Sequence, residues 1–454
     1  MDADRILEAV SDSDKFGFPF GGAIVHRSDR NRPQVQRESP QGLKPGILIQ
    51  HGGTTGVLPF PKILVGTVLT LSFLLLQSAE PACSQTISGK DIDITAPDGI
   101  KLRATFFAAG QSGPGVMLLH MCNTTRKSWQ PVAKELSQNK INALIIDNRG
   151  FGESGGPRYE GASPDVMKQL NEKWPADFEA AYDFLVAQPG VDKTRIAVGG
   201  GSCGVNNAMN VAERHPDIKA LVLLAGGISD PAGISYIAQH PEVPIFTAAA
   251  ADDEYNPSTL ELMRWYSEIS GNPRTRFSGF EEGRHGTEIF GPHPELVHQI
   301  AVFLVDTLVT SPVDLKAPVH PRKTQASEFL ALVNQPGGAT KAAGVFHEAR
   351  QRDPNAVVFP EYPMNILGYA KLQAGDKQDA IELFKLNTEA YPASANAQDS
   401  LSDGYLAAGQ NDLALAAEEK CLELLPGDKN DAQFKAQLEQ HAKEKIVELK
   451  TDKK

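Results

Sequence analysis

The chain has 454 residues and a formal net charge of −12, from 44 Lys and Arg against 56 Asp and Glu, a length that suits about three domains of roughly 150 residues. Hydrophobic residues make up 41% and charged residues 22%, which excludes a fibrous or wholly disordered chain. The acidic balance, with no dense Lys/Arg cluster, argues against a nucleic-acid partner, and four scattered cysteines without an HExxH sequence leave no reason to expect a disulfide scaffold, a metal or a cofactor.

Residues 63–76 form a long uncharged apolar run, shorter than the roughly 20 residues of a membrane span. Lys62 precedes it and Ala82-Cys83-Ser84 comes after, the outline of a secretory signal over about 57–84. Residues 1–56 show no sustained periodicity and read as a disordered extension, with initiation expected nearer Val57. Residues 1–84 are thus an extension plus signal, and the mature chain is expected to be exported, periplasmic or extracellular, with no stable membrane span. A short signal anchor is the alternative.

From residue 86 apolar runs alternate with amphipathic stretches. Strands are predicted at Asp91–Ala96, Leu102–Ala108, Val116–His120, Ala143–Asp147, Ile196–Gly199, Ala220–Leu224 and Ile245–Ala249. Several are continuously apolar, as strands buried on both faces require. Helices such as Trp174–Ala187 lie between them, so residues 86–310 are predicted as an α/β domain with a mostly parallel, doubly wound sheet.

Residues 311–325 hold three prolines and mixed charge and are predicted as a linker that isolates the C-terminal region from the sheet. Residues 326–454 are predicted helical. Leu367, Leu372, Gly375, Ala380, Ile381 and Pro392 recur thirty-four residues later as Leu401, Leu406, Gly409, Ala414, Leu415 and Pro426. That period, with Gly between two helices and Pro ending the second, matches tetratricopeptide repeats. The segment resembles the tetratricopeptide tail of many secreted bacterial serine hydrolases, and it leaves room for a protein partner.

The chemistry centres on Gly200-Gly201-Ser202-Cys203-Gly204, between the strand ending at Gly199 and an Ala/Asn-rich helix. A serine on a sharp strand-to-helix turn needs small residues two positions away on either side. Serine satisfies that condition, whereas Cys203 as nucleophile would put Val205 at the crowded position. The strand ending at His120-Met121-Cys122, the turn Asp147-Asn-Arg-Gly-Phe-Gly-Glu-Ser154, and Asp252-Asp253 with Pro257 before Gly283-Arg284-His285-Gly286 complete the pattern.

In this order the segments resemble the α/β-hydrolase family, with dienelactone-hydrolase-like members nearest, although Met121 stands where the family has Gly. The resemblance implies Ser202 as nucleophile, His285 as base and Asp253 as its acid, with Asp252 the less favoured choice. It also implies an oxyanion hole from the backbone N–H groups of Cys203 and Cys122. His120 is assigned no chemistry.

The expected function is hydrolysis of a small carboxylic ester or related acyl substrate through an acyl-enzyme, at an open, surface-accessible site. Residues 155–173 offer the only candidate lid. A serine peptidase, or a non-catalytic binding protein using the repeats, are the alternatives. Two N–H groups on one oxygen would bring Cys122 and Cys203 into the disulfide window. A bridge and two unpaired thiols filling a tight turn are both open readings, the second favoured.

Overall fold

The computed structural model describes residues 89–451; the predicted extension and signal segment lie outside them. The described chain opens with an antiparallel hairpin of β1 (Lys90–Thr95) and β2 (Lys101–Phe107). Six further strands are β3 (Gly113–Leu119), β4 (Asn142–Ile146), β5 (Val191–Gly201), β6 (Ala220–Leu224), β7 (Ile245–Ala250) and β8 (Arg276–Phe280). Together they form one eight-stranded sheet in the order β1-β2-β4-β3-β5-β6-β7-β8. β2 runs antiparallel to β1 and β4, and every neighbouring pair from β4 to β8 is parallel.

Side chains alternate across the sheet, so each strand feeds two cores. Val116, Leu118, Ala143, Ile145, Ala197 and Val222 face helices α1 (Gln130–Gln138) and, late in the domain, Glu295–Val305. Met117, Leu119, Leu144, Val198 and Leu223 belong to the core on the other face. That face is covered by α2 (Pro164–Ala187), α3 (Cys203–Arg214), α4 (Pro231–Gln239) and α5 (Thr259–Ser270); the helix Glu295–Val305 is α6. Because β4 and β5 flank β3 on opposite sides, the chain reverses its winding there. Such a switch point opens a crevice at the carboxyl ends of the strands, which sets where the site lies.

The predicted lid is corrected. Helix α2 starts at Pro164 and continues through Pro175, so just over half of residues 155–173 is the largely exposed first part of a helix anchored by Leu170, and residues 155–163 are the end of the loop before it.

After an irregular stretch, α7 (Gln325–Val333) and α8 (Ala339–Arg352) lead into two helical hairpins. These are α9 (Glu361–Gln373) with α10 (Lys377–Ala390), and α11 (Ala395–Ala407) with α12 (Asn411–Leu424). Both helices of the second hairpin start thirty-four residues after their counterparts, and Gly375 and Gly409 turn each hairpin at φ of 82° and 72°. Helix α13 (Ala432–Thr451) closes the stack through Phe434, Leu438 and Ala442.

The linker does not isolate these helices. Arg322 N–H donates to the Gly271 carbonyl (2.8 Å) and Thr324 Oγ1 to that of Glu268 (3.2 Å), laying the strap along the end of α5. Phe329, Leu330, Phe346 and Phe359 then share a core with Trp265 and Ile269 of α5. Trp265 Nε1 donates to the Val358 carbonyl at 3.0 Å, and Tyr391 OH donates to Glu261 at 2.6 Å. The physical reason lies in α5, whose large apolar side chains on that side need cover. Among the described residues no helix is long and apolar enough to cross a membrane.

Candidate active site

Ser202 is the hinge between the last residue of β5 and the first of α3, with φ 53° and ψ −123°, a conformation that costs a non-glycine residue of order 1–3 kcal/mol. Tight neighbours hold it there. Ser202 N–H donates to the Leu224 carbonyl at 2.9 Å. A Cβ on Gly200 would lie 1.8 Å from the Gly204 carbonyl oxygen, and one on Gly204 2.5 Å from that of Leu119. Gly226 presses equally close, a Cβ there falling 2.2 Å from the Ser202 carbonyl oxygen; nothing in the sequence singled it out.

The two adjacent aspartates after β7 do different work. Asp253 Oδ1 accepts the backbone N–H groups of Tyr255 and Asn256, each at 3.0 Å, leaving Oδ2 to meet His285 Nδ1 at 2.7 Å. Asp252 instead accepts the N–H of Gly283 (2.7 Å) and of Arg284 (3.3 Å), shaping the turn that carries the histidine. The His285 turn reaches back to the elbow, since a Cβ on Gly201 would lie 3.2 Å from Thr287 Cγ2. Asp253 and His285 are thus paired, and the histidine turn lies against the residue before Ser202.

Ser202, Asp253 and His285 are 5%, 4% and 3% exposed, so the expected surface-accessible serine is corrected to a recessed one. Met121, fully buried, occupies space that a glycine would leave free: its Sδ accepts the Thr287 N–H at 3.2 Å and would meet a Cβ on Gly286 at 2.3 Å. The Tyr255 ring stands 4.8 Å from the His285 ring, and Asn123 Nδ2 donates to Tyr255 OH at 3.3 Å. Sequence reasoning missed Tyr255 and Asn123 as site residues and marked Met121 only as standing where the resembled family has Gly; Tyr255, two positions past Asp253, carried some signal.

Cys122 and Cys203 are joined by a disulfide with a Cα separation of 5.9 Å, against the favoured reading of two unpaired thiols. Beneath Cys122, the His120 ring is fully buried, and burial holds it below the ordinary imidazole range, hence neutral. Nδ1–H donates to the Met121 carbonyl at 2.7 Å, and Nε2 accepts the Asn148 N–H at 2.9 Å. The Met121 carbonyl also accepts the Thr124 N–H at 3.2 Å. In a trans peptide the Cys122 N–H points opposite to that carbonyl, away from His120. The Cys203 N–H opens α3 and has no intrahelical acceptor.

The turn from Asp147 to Ser154 is structural. Arg126 pairs with buried Asp147, Arg149 grips Asp177 and Asp98, and Ser154 Oγ donates to the Asp147 carbonyl at 2.6 Å. Far from the site, Asp399, Asp403 and His441 are close enough together to hold an ion. The Lys445 ammonium already sits 2.9 Å from Asp399, 2.7 Å from Asp403 and 3.0 Å from Glu418, supplying the positive charge itself.

Residues 112–262 match the family model described as serine aminopeptidase, S33. The chain is 33% identical to thiohydrolase aneE of Aspergillus aculeatus over 124 residues, 27% of this chain and 36% of that protein. It is 27% identical to a thermostable monoacylglycerol lipase of a Bacillus species over 153 residues, 34% of this chain and 56% of that one. An esterase of Pyrococcus furiosus superposes with a TM-score of 0.38 at 21% identity, covering 48% of this chain and 90% of the esterase. The chain therefore spans little more than a third of the thiohydrolase's length. The sheet order, with one antiparallel strand at β2 and a nucleophile-type elbow after β5, agrees with that family match: this is the α/β-hydrolase fold.

Proposed function

We propose that the protein is an exported serine hydrolase that cleaves carboxylic esters or thioesters of small acyl groups through an acyl-enzyme. The observation that carries this is the strained serine turn at Ser202 together with a buried His285–Asp253 pair bonded at 2.7 Å. With Nδ1 committed to Asp253, Nε2 of His285 is the atom that takes the Ser202 proton and returns it to the leaving group. Ser202 Oγ attacks the acyl carbon, the alcohol or thiol departs, and water releases the acid in a second addition. The N–H groups of Cys203 and Cys122 receive the developing oxyanion in both steps.

The names of the thiohydrolase and lipase relatives support an oxygen or sulfur ester as the scissile group; the dienelactone-hydrolase-like placement is supported by the sequence resemblance alone. A disulfide beside the site supports export, because such bonds persist in oxidising compartments. The thirty-four-residue spacing of the helical hairpins supports a tetratricopeptide-type tail.

The test is fluorophosphonate labelling, then a panel of short acyl esters and thioesters. Ser202→Ala is expected to abolish both labelling and turnover with an unchanged melting temperature; labelling that survives in this variant removes the nucleophile assignment. A peptidase reading is favoured by the description of the matched family model. Release of p-nitroaniline from aminoacyl anilides faster than ester cleavage would establish it instead.

A further inference from the structure

We infer that the Cys122–Cys203 disulfide is a positioning element for the oxyanion site: it fixes the spacing of the two backbone N–H donors, so that opening it lowers kcat while leaving KM nearly unchanged. The inference rests on the proposed acyl-enzyme chemistry at Ser202.

The two donors reach the site from unrelated parts of the chain, 81 residues apart. The Cys203 side is held by its surroundings. It opens α3, its neighbour Gly204 packs on the carbonyls of Leu119 and His120, and Ser202 is tied to Leu224. The Cys122 side is a loop after β3. Its peptide is oriented by the bonds of the Met121 carbonyl to His120 and Thr124, but those bonds set the direction of the N–H, not its distance from α3. Two donors about 3 Å from one oxygen can be no more than about 6 Å apart, and the 5.9 Å Cα separation imposed by the bridge suits that limit. The bridge joins the two donor-bearing residues themselves, so no intervening side chain can absorb a change in spacing.

Both cysteines are half-buried, so a small dithiol can reach the bond. One thiolate of the dithiol attacks a cystine sulfur and breaks the S–S bond, giving a mixed disulfide. Its second thiol then closes on the first. Cys122 and Cys203 leave as two thiols, and the dithiol becomes a cyclic disulfide, a balanced two-electron exchange. Reclosure requires an oxidised disulfide as acceptor.

The experiment uses the full chain purified from an oxidising compartment. p-Nitrophenyl butyrate kinetics are recorded before and after dithiothreitol, with alkylation and mass spectrometry counting thiols and near-ultraviolet circular dichroism reporting on the fold. The expected result is a fall in kcat of about tenfold or more, towards the ~10²–10³ lost when one oxyanion donor is removed. KM should stay within about twofold and the pH midpoint of kcat should not move, since the histidine pair is untouched. Oxidised glutathione should restore activity. The Cys122→Ala/Cys203→Ala double variant should match the reduced protein and ignore dithiothreitol. An unchanged kcat with both thiols alkylated overturns the inference, as does activity lost only in step with the circular dichroism signal, which assigns the bridge to stability alone. Oxidised, folded protein that neither labels with fluorophosphonate nor turns over esters overturns the proposed function, and this inference with it.

Discussion

Asp252 and Asp253 differ only in where the chain beyond β7 turns them, and the assignment can be tested by a change that preserves shape. Asp253→Asn keeps the bonds from Tyr255 and Asn256 but removes the charge opposite His285 and favours the wrong imidazole tautomer. Its cost is expected near 10³–10⁴ in kcat. Asp252→Asn keeps an oxygen for the Gly283 and Arg284 N–H groups and should cost less than about tenfold. Steady-state ester turnover of the two variants separates the roles, and the reverse ranking moves the acid by one residue. Pro257, four positions after Asp253, was the sequence cue. Met121 was marked only as standing where the resembled family has Gly; its contact with the histidine turn had no cue, because its bond to Thr287 joins residues 166 apart. The glycines at 200 and 204 were legible because a serine elbow needs them, whereas Gly226 is fixed by the later approach of β6 to the elbow.

Whole elements were legible where burial wrote a continuous pattern and lost where it did not. β3, β4, β6 and β7 are buried along their full length and appear as apolar runs. β8, Arg-Phe-Ser-Gly-Phe, pairs only with β7 at the sheet edge and has no fully buried position, so it carries no apolar run to find. Pro175 hid the first three turns of α2, although Leu170 and Trp174 anchor that segment in the core. Buried charge sets two tests at this scale. On α13, Lys445 is the shared partner of Asp399, Asp403 and Glu418, the last fully buried. Lys445→Met strands these carboxylates and should cost about 3–5 kcal/mol, read as a large loss of helical signal at lower temperature. On α3, burial first and the nearby Asp230 second push the Glu213 carboxyl up to about 7. Its folded value lies above its unfolded one, so its contribution is fully present below about pH 4.5 and is lost as pH rises through about 7. Glu213→Gln should therefore raise stability at pH 8, by about 1 kcal/mol after allowing for solvent screening, and leave it nearly unchanged at pH 4. Thermal melts at the two pH values decide it.

At the scale of the molecule, the helical region completes the surface of the α/β domain rather than trailing from it. Deleting residues 323–454 would bare Trp265 and Ile269 on α5, which continues from the loop carrying Asp253. The truncated chain is expected to aggregate or bind a hydrophobic dye, with reduced ester turnover even when soluble. A monomeric truncation with full activity would show that this shared core is dispensable. A proline-rich stretch between two patterned regions reads in sequence as a spacer, because the surface that captures it belongs to a helix fifty residues earlier. The disulfide has a consequence of another kind, in the entropy of the unfolded chain. It closes a ring of chain between residues 81 apart that contains α1, β4, α2 and β5, a constraint of about 4.5 kcal/mol in a chain-entropy account. Against a typical reserve of 5–15 kcal/mol, a chain held in a reducing compartment would be far nearer its unfolding threshold than the same chain after oxidation. Under the proposed export that difference would point outward: the polypeptide would stay loose while it is threaded through a translocation channel, and would tighten on the far side, where the bond that stabilises it can form.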